Sequence, residues 1–425
     1  MAKKKVVAAK EGQLPDPFEM MKAIDDSVEI LEDSVFSNIK EWVSTGNYML
    51  NACISGSLFG GLPSSKVCTL VGDPGTGKTY LACNMAREAQ NAGYNILWLD
   101  SEGAMDKQFA MRLGLDANKV MIKQVNTISE TSQLIANLCQ SLDEMREQYG
   151  NAHKFMIVLD SLGNLTSDKE KTDTIEGNDK RDMTRAQNIR AMFRVNATPI
   201  ARNGIIFLVI AHQYASTNMY SSLPEVGGGG GIKYNSSVTI YLTTSKLQDK
   251  SAEEAAAKTA NSEAMVKTGV LVTARPLKSR FTIPRKVQFI ISYAGKNNKF
   301  VGMESYLTWE NSHVCRGTIL TKSEYDKLGG ESNKSLHTWD YNGTTMYCQQ
   351  KDTARGIVVG HLGKTVGLTD IWSDEVFTDE FLHHIDETVI KKSFMLPTVS
   401  DLSEIESLLD GNDDEIDLDN IDGNE

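Results

Sequence analysis

The sequence predicts an α/β protein with a mainly parallel sheet flanked by helices, preceded by a short N-terminal helical segment and followed by a small C-terminal domain. Three observations support this prediction. Apolar runs without polar alternation indicate strands buried on both faces, segments with helical spacing separate these runs, and a glycine-rich motif follows the first run. The chain of 425 residues is longer than a typical domain, so we expect a large core with smaller appendages.

Strands and helices alternate along the predicted core. Continuous apolar runs predict buried strands at 67–71, 95–100, 154–160 and 204–211. Helical patterns predict helices at 79–92, 129–149 and 181–202. This alternation is typical of βαβ units, in which the crossover helices cover the faces of a parallel sheet.

The segments outside these units are shorter. Apolar residues at helical spacing predict one N-terminal helix within 18–31. After residue 231, β-branched runs predict strands that extend the same sheet at 237–243, 269–273 and 286–293, with a helical insert at 249–266. We therefore expect an N-terminal assembly segment, the core, a small mixed domain and an acidic tail, at 1–43, 44–301, 302–399 and 400–425 respectively.

Composition favours a protein of the cytoplasm. Hydrophobic residues make up 40% of the chain and charged residues 24%, and no apolar run approaches the roughly 20 residues of a membrane span. The N-terminal lysines are followed by Glu11 and not by an apolar segment, so no secretory signal is predicted. The six cysteines include no CxxC pair and are expected to be reduced packing residues: Cys53, Cys68, Cys83, Cys139, Cys315 and Cys348.

The net charge of −12 is concentrated at the C-terminus. Residues 401–425 contain eleven acids and no Lys or Arg, and removing those eleven charges from the total leaves −1 for the rest of the chain. The core is therefore not acidic enough to exclude nucleic acid as a partner. The tail is predicted to be disordered, either as a mobile competitor for a basic groove or as a solubilising segment.

The glycine-rich motif matches GxxxxGK[ST] at every fixed position, after a predicted strand and before a predicted helix, which is the context of a P-loop. Its backbone N–H groups and the helix N-terminus are suited to bind the phosphates of ATP. We expect Lys78 to reach the β- and γ-phosphates and the Thr79 hydroxyl to bind Mg²⁺. The predicted nucleotide-binding residues are Gly72, Asp73, Pro74, Gly75, Thr76, Gly77, Lys78, Thr79 and Tyr80.

Two further carboxylates are predicted to complete this site. Asp160 closes the apolar strand 154–160 and is expected to hold Mg²⁺ together with Thr79. Hydrolysis also needs a group that orients or deprotonates the attacking water. Glu102, two residues after the strand that ends in Asp100, is our candidate for this catalytic role; the alternative is that Glu102 caps a helix N-terminus.

In this order of motifs the chain resembles the bacterial RecA family, where a strand ending in Asp, followed shortly by the catalytic Glu, lies between the P-loop and the metal-binding Asp. The resemblance covers residues 44–293. The segments 160–165 and 182–186 further resemble the strand-exchange recombinases of T4-type phages, whereas the P-loop itself is more similar to bacterial RecA. Shorter matches to the family are Ser44-Thr45-Gly46, Gly60-Gly61-Leu62-Pro63 and Gly114-Leu115-Asp116.

The resemblance implies two loops that face DNA, at 166–188 and at 214–231. The first loop is modestly basic, and its candidate DNA-binding residues are Lys180, Arg181 and Arg185. The second contains a run of five glycines whose backbone is predicted to be too permissive to pack and to order on a ligand; the alternative is a plain linker. Its candidate residues are Met219, Tyr220, Gly227, Gly228, Gly229, Gly230 and Gly231.

The resemblance also implies groups that respond to the γ-phosphate. His212 and Gln213 both close the strand 204–211, and either is a candidate sensor; a lone histidine is more often a satisfied core residue. Lys278 and Arg280 resemble the paired lysines by which a neighbouring protomer reaches ATP, with Arg in place of the second lysine. The alternative for both is a solvated surface position.

The P-loop and its carboxylates predict an ATPase that binds ATP and Mg²⁺. The resemblance implies that this ATPase depends on DNA, forms a helical filament of identical chains on single-stranded DNA, and exchanges strands with homologous double-stranded DNA in recombination and repair. Single-strand-binding and mediator proteins are further candidate partners. Two alternatives remain open. One is a replicative helicase of the same fold, for which the 66 residues before the first predicted strand leave little room. The other is a nucleotide-binding recombination mediator without strand-exchange activity.

Overall fold

The structure of the chain is a computed structural model. It describes residues 14, 16–25, 28–31, 34, 39–177, 184–214, 225–227, 230–247, 269–292, 298–303, 306–351, 356–358, 361–367 and 372–397. Within these ranges, no helix has both the length and the apolar character needed to cross a membrane. The predicted helical insert at 249–266 and the predicted acidic tail lie outside the described residues.

The N-terminal half alternates strands and helices as predicted. Its elements are α1 (Pro17–Ile24), β1 (Trp42–Val43), α2 (Tyr48–Ser55), β2 (Leu62–Pro63), β3 (Val67–Gly72), α3 (Lys78–Asn91), β4 (Asn95–Asp100), α4 (Lys107–Arg112), β5 (Val120–Gln124), α5 (Ile128–Tyr149), β6 (Phe155–Asp160), α6 (Asp168–Ile175) and α7 (Arg185–Arg202).

The second half contains mostly strands. Its elements are β7 (Ile206–Tyr214), β8 (Glu225–Val226), α8 (Gly230–Asn235), β9 (Val238–Leu247), β10 (Gly269–Ser279), β11 (Val287–Ser292), α9 (Trp309–Ser312), β12 (Val314–Leu320), α10 (Lys322–Lys327), β13 (Leu336–Tyr341), β14 (Thr344–Gln350), β15 (Gly356–Val358), β16 (Lys364–Thr365), α11 (Asp379–Ile385), a π-helical turn (Asp386–Ile390) and α12 (Lys391–Phe394).

The central sheet has the strand order β11-β10-β9-β3-β7-β6-β4-β5, with β8 paired to β7. The pairs from β9 through β3, β7, β6 and β4 to β5 are parallel, whereas β10 and β11 add antiparallel strands at one edge. This arrangement confirms the predicted α/β class. Because β3, β4, β6 and β7 run in the same direction, their carboxyl ends meet at one edge of the sheet, where ligands bind in open α/β folds.

Buried side chains cover both faces of this sheet. On one face α5 and α7 pack through residues such as Ile135, Leu142 and Phe193. On the other face α2 and α3 share an apolar cluster with residues from the last hundred positions, including Phe377 and Phe394. All six cysteines are buried and form no disulfide, in keeping with a packing role, and their reduced state stays a prediction.

The C-terminal region forms a second sheet of five strands in the order β13-β14-β12-β15-β16. Its helices α11 and α12 pack against the core, and the buried Asp386 carboxylate accepts hydrogen bonds from the Ser57 hydroxyl and the Leu58 N–H, both at 2.7 Å. This region therefore contacts the core through both apolar packing and buried hydrogen bonds. The domain limits given above stay a prediction.

Several element boundaries differ from the sequence predictions; β9 and β10, for example, extend to Leu247 and Ser279 instead of residues 243 and 273. The N-terminal helix ends at Ile24, because Asp25 already has an extended backbone, and does not continue to residue 31. The strand predicted at 204–211 begins at Ile206 and continues to Tyr214, since β8 pairs with its last residues. His212 and Gln213 are therefore strand residues whose positions are fixed by the sheet.

Candidate nucleotide-binding site

The P-loop lies between β3 and α3, as the motif predicts. Gly75 and Gly77 have φ values of +78° and +85°, in the left-handed region that favours glycine. A Cβ atom added to Gly72 would lie 2.6 Å from the carbonyl oxygen of Leu242 on β9, so only glycine fits at the end of this central strand. The loop therefore needs its glycines for backbone conformation and for close packing.

Lys78 is the first residue of α3 and is mostly buried. Its ammonium donates to the carbonyl oxygens of Gly72 and Asp73, at 2.9 and 2.8 Å. Burial lowers the pKa of Lys78, although the carboxylates of Glu102, Asp160 and Asp73 oppose this effect. The ammonium thus spans the loop that would surround the phosphates, where its charge meets little solvent.

Thr79 and Asp160 are adjacent, as predicted for a metal site. The Thr79 hydroxyl donates to Asp160 Oδ2 at 2.9 Å, and Asp160 is 2% exposed. Burial, with help from the neighbouring Glu102 and Asp100 charges, raises the pKa of Asp160 to about 6, although the Thr79 hydrogen bond and the Lys78 charge lower it. A hydroxyl and an under-compensated carboxylate are the oxygen ligands that Mg²⁺ prefers, so these residues fit a magnesium ion.

Glu102 follows β4 in a turn that Asp100 shapes. The Asp100 carboxylate accepts hydrogen bonds from the N–H groups of Glu102 and Gly103, at 2.9 and 2.8 Å, and from Met105 at 3.3 Å. The N-cap of the next helix, α4, is Asp106. The alternative that Glu102 caps a helix is therefore wrong, and its side chain is available to the site.

Two side chains contact the same carboxylate oxygen of Glu102. The Ser161 hydroxyl donates to Glu102 Oε1 at 2.5 Å, and His212 Nε2 lies 2.8 Å from the same atom. Burial raises the pKa of Glu102, but the hydrogen bonds from Ser161 and His212 and the charges of His212 and Lys78 outweigh this effect and lower it. Glu102 is therefore an ionised carboxylate at neutral pH.

The two candidate sensors contact different parts of the site. His212 contacts Glu102, whereas the Gln213 amide donates to the Asp73 carboxylate in the P-loop. Gln213 Oε1 is buried and has no hydrogen-bond partner among the described residues. Both side chains thus lie at the nucleotide site, and the choice between them stays open.

Lys278 and Arg280 lie at the opposite edge of the sheet from their own P-loop. Lys278 pairs with Thr239, which pairs with Thr69, three residues before Gly72 along β3. At about 3.3 Å per strand residue this offset is roughly 10 Å. The Lys278 ammonium donates to the carbonyl oxygens of Lys233 and Tyr234, at 2.9 and 3.0 Å, at the C-terminal end of α8.

The candidate DNA-binding residues are described only in part. Arg185 begins α7, and its guanidinium donates to the carbonyl oxygens of Leu165 at 2.8 Å and Gly163 at 2.7 Å. The Gly227 N–H donates to the His212 carbonyl oxygen at 2.8 Å. Lys180, Arg181, Met219, Tyr220, Gly228 and Gly229 lie outside the described residues.

The glycine run is not a uniformly permissive segment. Gly230 and Gly231 are the first residues of α8, and Gly231 is buried. A Cβ atom on Gly231 would lie 2.9 Å from Arg190 Cγ and 3.0 Å from Arg190 N, because α8 packs directly on α7. The prediction that this run is too permissive to pack is therefore wrong for Gly231.

Sequence reasoning missed the residues that orient Glu102. Ser161 is fully buried directly after Asp160, and Asp100 and Ser101 form the turn on the neighbouring strand. The signal for Asp100 was its place at the end of an apolar strand. Nothing in the sequence indicated that Ser161 and Glu102 meet, because this contact depends on β4 and β6 being neighbours.

The fold and this site together define an α/β nucleotide-binding protein with a P-loop at the carboxyl edge of a parallel sheet. Residues 22–283, more than half of the chain, match the family described as the RecA N-terminal domain. The chain belongs to this family.

Individual relatives are similar at modest identity. The chain is 28% identical over 223 residues to the recombination and repair protein of Enterobacteria phage T4, covering 52% of this chain and 55% of the relative. It is 27% identical over 204 residues to protein RecA of Delftia acidovorans, covering 47% and 51%. Protein RecA of Caulobacter sp. is 25% identical over 206 residues. The chain spans about half the length of these curated relatives.

Proposed function

We propose that this chain is a DNA-dependent ATPase that forms filaments on single-stranded DNA and promotes homologous strand exchange in recombination and repair. The observation that carries the proposal is the position of Glu102, an ionised carboxylate held next to a P-loop and a metal-type Thr79–Asp160 pair. The family match and the names of the relatives support the choice of recombination among the functions that a P-loop serves.

In the proposed site, the P-loop N–H groups and Lys78 bind the phosphates of ATP, and Thr79 and Asp160 hold Mg²⁺. The metal supplies positive charge that neutralises the phosphate oxygens when it is bound. Asp160 is suited to this role because burial and the nearby acids make its negative charge unfavourable and raise its pKa to about 6, so a bound cation would stabilise the ionised carboxylate. Lys78 needs only to move its ammonium from the loop carbonyls to the phosphates.

Glu102 is proposed to orient the attacking water and accept its proton. Its lowered pKa keeps the carboxylate ionised, which a proton acceptor requires. Oε1 is occupied by Ser161 and His212, whereas Oε2 has no hydrogen-bond partner among the described residues. The free oxygen is the one we assign to the water.

Assembly is proposed to complete the site. Lys278 and Arg280 lie at the sheet edge away from their own P-loop, so they are suited to reach the nucleotide of a neighbouring chain. A head-to-tail interface of this kind extends into a helical filament when it does not close. Turnover should therefore depend on DNA, because DNA holds neighbouring chains in register.

The first experiment measures ATP hydrolysis with and without single-stranded DNA, for the full chain and for Glu102→Gln. Glu144→Gln is a matched control, because Glu144 is exposed on α5 and accepts only from Gln140 in the same helix. We expect DNA-stimulated turnover that falls about 10²-fold in Glu102→Gln and stays unchanged in the control. Filaments imaged on single-stranded DNA should persist in Glu102→Gln.

Strand exchange between homologous DNA molecules, followed by gel electrophoresis, separates the proposal from its alternatives. A recombinase exchanges strands only when the duplex matches the bound single strand. A helicase instead unwinds duplexes regardless of homology. A chain that binds nucleotide but has no DNA-stimulated turnover would contradict the proposal and favour a mediator.

A further inference from the structure

Three neighbouring strands of the sheet deliver side chains to one carboxylate oxygen. Glu102 follows β4, Ser161 follows β6, and His212 lies on β7. Ser161 and His212 both contact Oε1 of Glu102, at 2.5 and 2.8 Å. A carboxylate held through one oxygen cannot rotate freely, so the direction of the other oxygen is fixed.

The two groups that hold Oε1 differ in how firmly they are fixed. The His212 side chain is 26% exposed, and its ring contact depends on its tautomer. Ser161 is 0% exposed. A buried hydroxyl next to an ionised carboxylate points its hydrogen at that carboxylate, because this is a charge-assisted hydrogen bond with no competing water. The Ser161 contact with Glu102 Oε1 is therefore held more firmly than the His212 contact.

The backbone of Ser161 is itself fastened to β4. Its N–H donates to Ser101 Oγ at 2.9 Å, and the Ser101 hydroxyl donates to its carbonyl oxygen at 2.7 Å. The Ser101 N–H donates to the Asp160 carbonyl oxygen at 2.8 Å. These bonds join Ser101, the residue before Glu102, to Asp160 and Ser161, so the Ser161 hydroxyl has a fixed position relative to the Glu102 backbone.

We propose that Ser161 is a positioning residue for Glu102: its hydroxyl holds Oε1 so that Oε2 stays turned toward the water that attacks ATP. This inference rests on the proposed ATPase function. Ser161 contacts neither nucleotide nor water in this role and acts only through Glu102. His212 shares Oε1 but can leave it, whereas Ser161 keeps Glu102 in place when it does.

The test replaces Ser161 by Ala in the full chain and measures turnover with single-stranded DNA. A small displacement of a catalytic group costs a large factor in rate, so we expect kcat to fall about tenfold or more, with the KM for ATP and filament formation unchanged. Thr345→Ala is the matched control, because the Thr345 hydroxyl donates to the Asp340 carboxylate at 2.9 Å on the C-terminal sheet. The control should keep full turnover.

A double variant distinguishes positioning from a general structural role. Once Glu102 is replaced by Gln, there is no carboxylate to hold. The double variant Ser161→Ala/Glu102→Gln should therefore turn over as fast as Glu102→Gln alone. Single-turnover measurements give the residual rates, and thermal unfolding checks that each variant is folded. Full kcat in Ser161→Ala, a change in KM alone, or losses that multiply in the double variant would overturn the inference.

The two proposals fail in different ways. If the unmodified chain shows no DNA-stimulated turnover, or if Glu102→Gln turns over normally, the proposed function fails. If the unmodified chain is active and Glu102→Gln is not, but Ser161→Ala keeps full kcat, only the positioning role fails. A Ser161→Thr variant that folds and regains the hydroxyl should recover most of the lost turnover.

Discussion

The two edges of the central sheet differ in charge and in what they contribute. At the carboxyl edge, the charges of Glu102, Asp160 and Asp73 act on Lys78, and Asp100 accepts a hydrogen bond from the Glu102 N–H. At the opposite edge Lys66, Lys278 and Arg280 lie near one another, and burial together with the Arg280 charge lowers the pKa of both lysines. One edge carries excess acid and the other excess base, which is the complementarity that head-to-tail copies of one chain require.

The largest loss of turnover is expected from replacing Lys78 at the carboxyl edge. Lys78→Ala removes the ammonium that we propose binds the phosphates, so we expect turnover to fall by about 10²-fold or more and ATP binding to weaken. Initial rates and nucleotide titrations measure both. Lys119→Ala is the control, since Lys119 is 66% exposed and meets Asp116 only at 3.9 Å. Normal turnover in Lys78→Ala would move the active site elsewhere.

A second variant tests whether the basic edge acts on a neighbouring chain. Lys278→Ala should lower DNA-stimulated turnover by about ten- to a hundredfold while the isolated chain still binds ATP. Since Lys278 also caps α8, the loss alone does not show action between chains.

Mixing two impaired variants, Glu102→Gln and Lys278→Ala, tests whether Lys278 acts on a neighbouring chain. Glu102→Gln keeps its Lys278, and Lys278→Ala keeps its Glu102, so some interfaces in a mixed filament combine both intact groups. With random order in a head-to-tail filament, roughly a quarter of the interfaces qualify, and turnover should return to about that fraction of the unmodified value. A mixture no more active than its components would show that Lys278 acts only within its own chain.

The contrast between the edges also explains what the sequence could predict. Lys78, Thr79, Asp160 and Glu102 each follow or open an element with a clear apolar pattern, so their convergence follows from parallel strands alone. The edge strand β5 was missed because most of its residues are exposed and the pattern of a buried strand is absent. Contacts such as Ser161 with Glu102 depend on which strands are neighbours, and periodicity does not encode strand order.

The same limit applies to the C-terminal region. Its strands β12 to β16 are short, and their buried residues alternate irregularly, as in the pattern of β14, where Cys348 is the one fully buried position. The buried bond between Asp386 and the Ser57–Leu58 turn joins residues more than three hundred positions apart. Such contacts are determined by tertiary packing and leave no local signal.

A smaller effect is expected at Gln213, which joins the P-loop to the strand leading toward the second predicted DNA loop. Gln213→Ala removes the donor to Asp73, so DNA should stimulate turnover about tenfold less, while turnover without DNA changes little. Gln288→Ala is the control, because the Gln288 amide donates to Thr273 at 3.0 Å on the edge strand β11. Equal losses with and without DNA would assign Gln213 to nucleotide binding and not to coupling.

The smallest effect should come from Glu41, at the amino ends of β4 and β6, where the sheet edge is structural. The Glu41 carboxylate accepts hydrogen bonds from the Lys154 ammonium and, at 2.8 Å, from the Tyr94 hydroxyl. The Lys154 bond lowers the pKa of Glu41, the Tyr94 bond lowers it further, and burial opposes both effects. Because the pKa of Glu41 is lower in the folded state than its ordinary value of 4.5, the ionised carboxylate stabilises the folded chain at pH values above 4.5. This stabilisation is lost as the pH falls through the pKa of the folded state.

Glu41→Gln should therefore lower the free energy of unfolding by only about 0.5 kcal/mol near pH 7, because the pair is largely solvated. The difference between the variant and the unmodified chain should shrink as the pH is lowered to about 4, since the carboxylate that distinguishes them becomes protonated. Urea unfolding at both pH values measures this, with DNA-stimulated turnover near neutral pH expected to be unchanged. A turnover defect as large as that of Lys278→Ala would mean that the amino edge contributes to the site over its whole length and not through Lys278 and Arg280 alone.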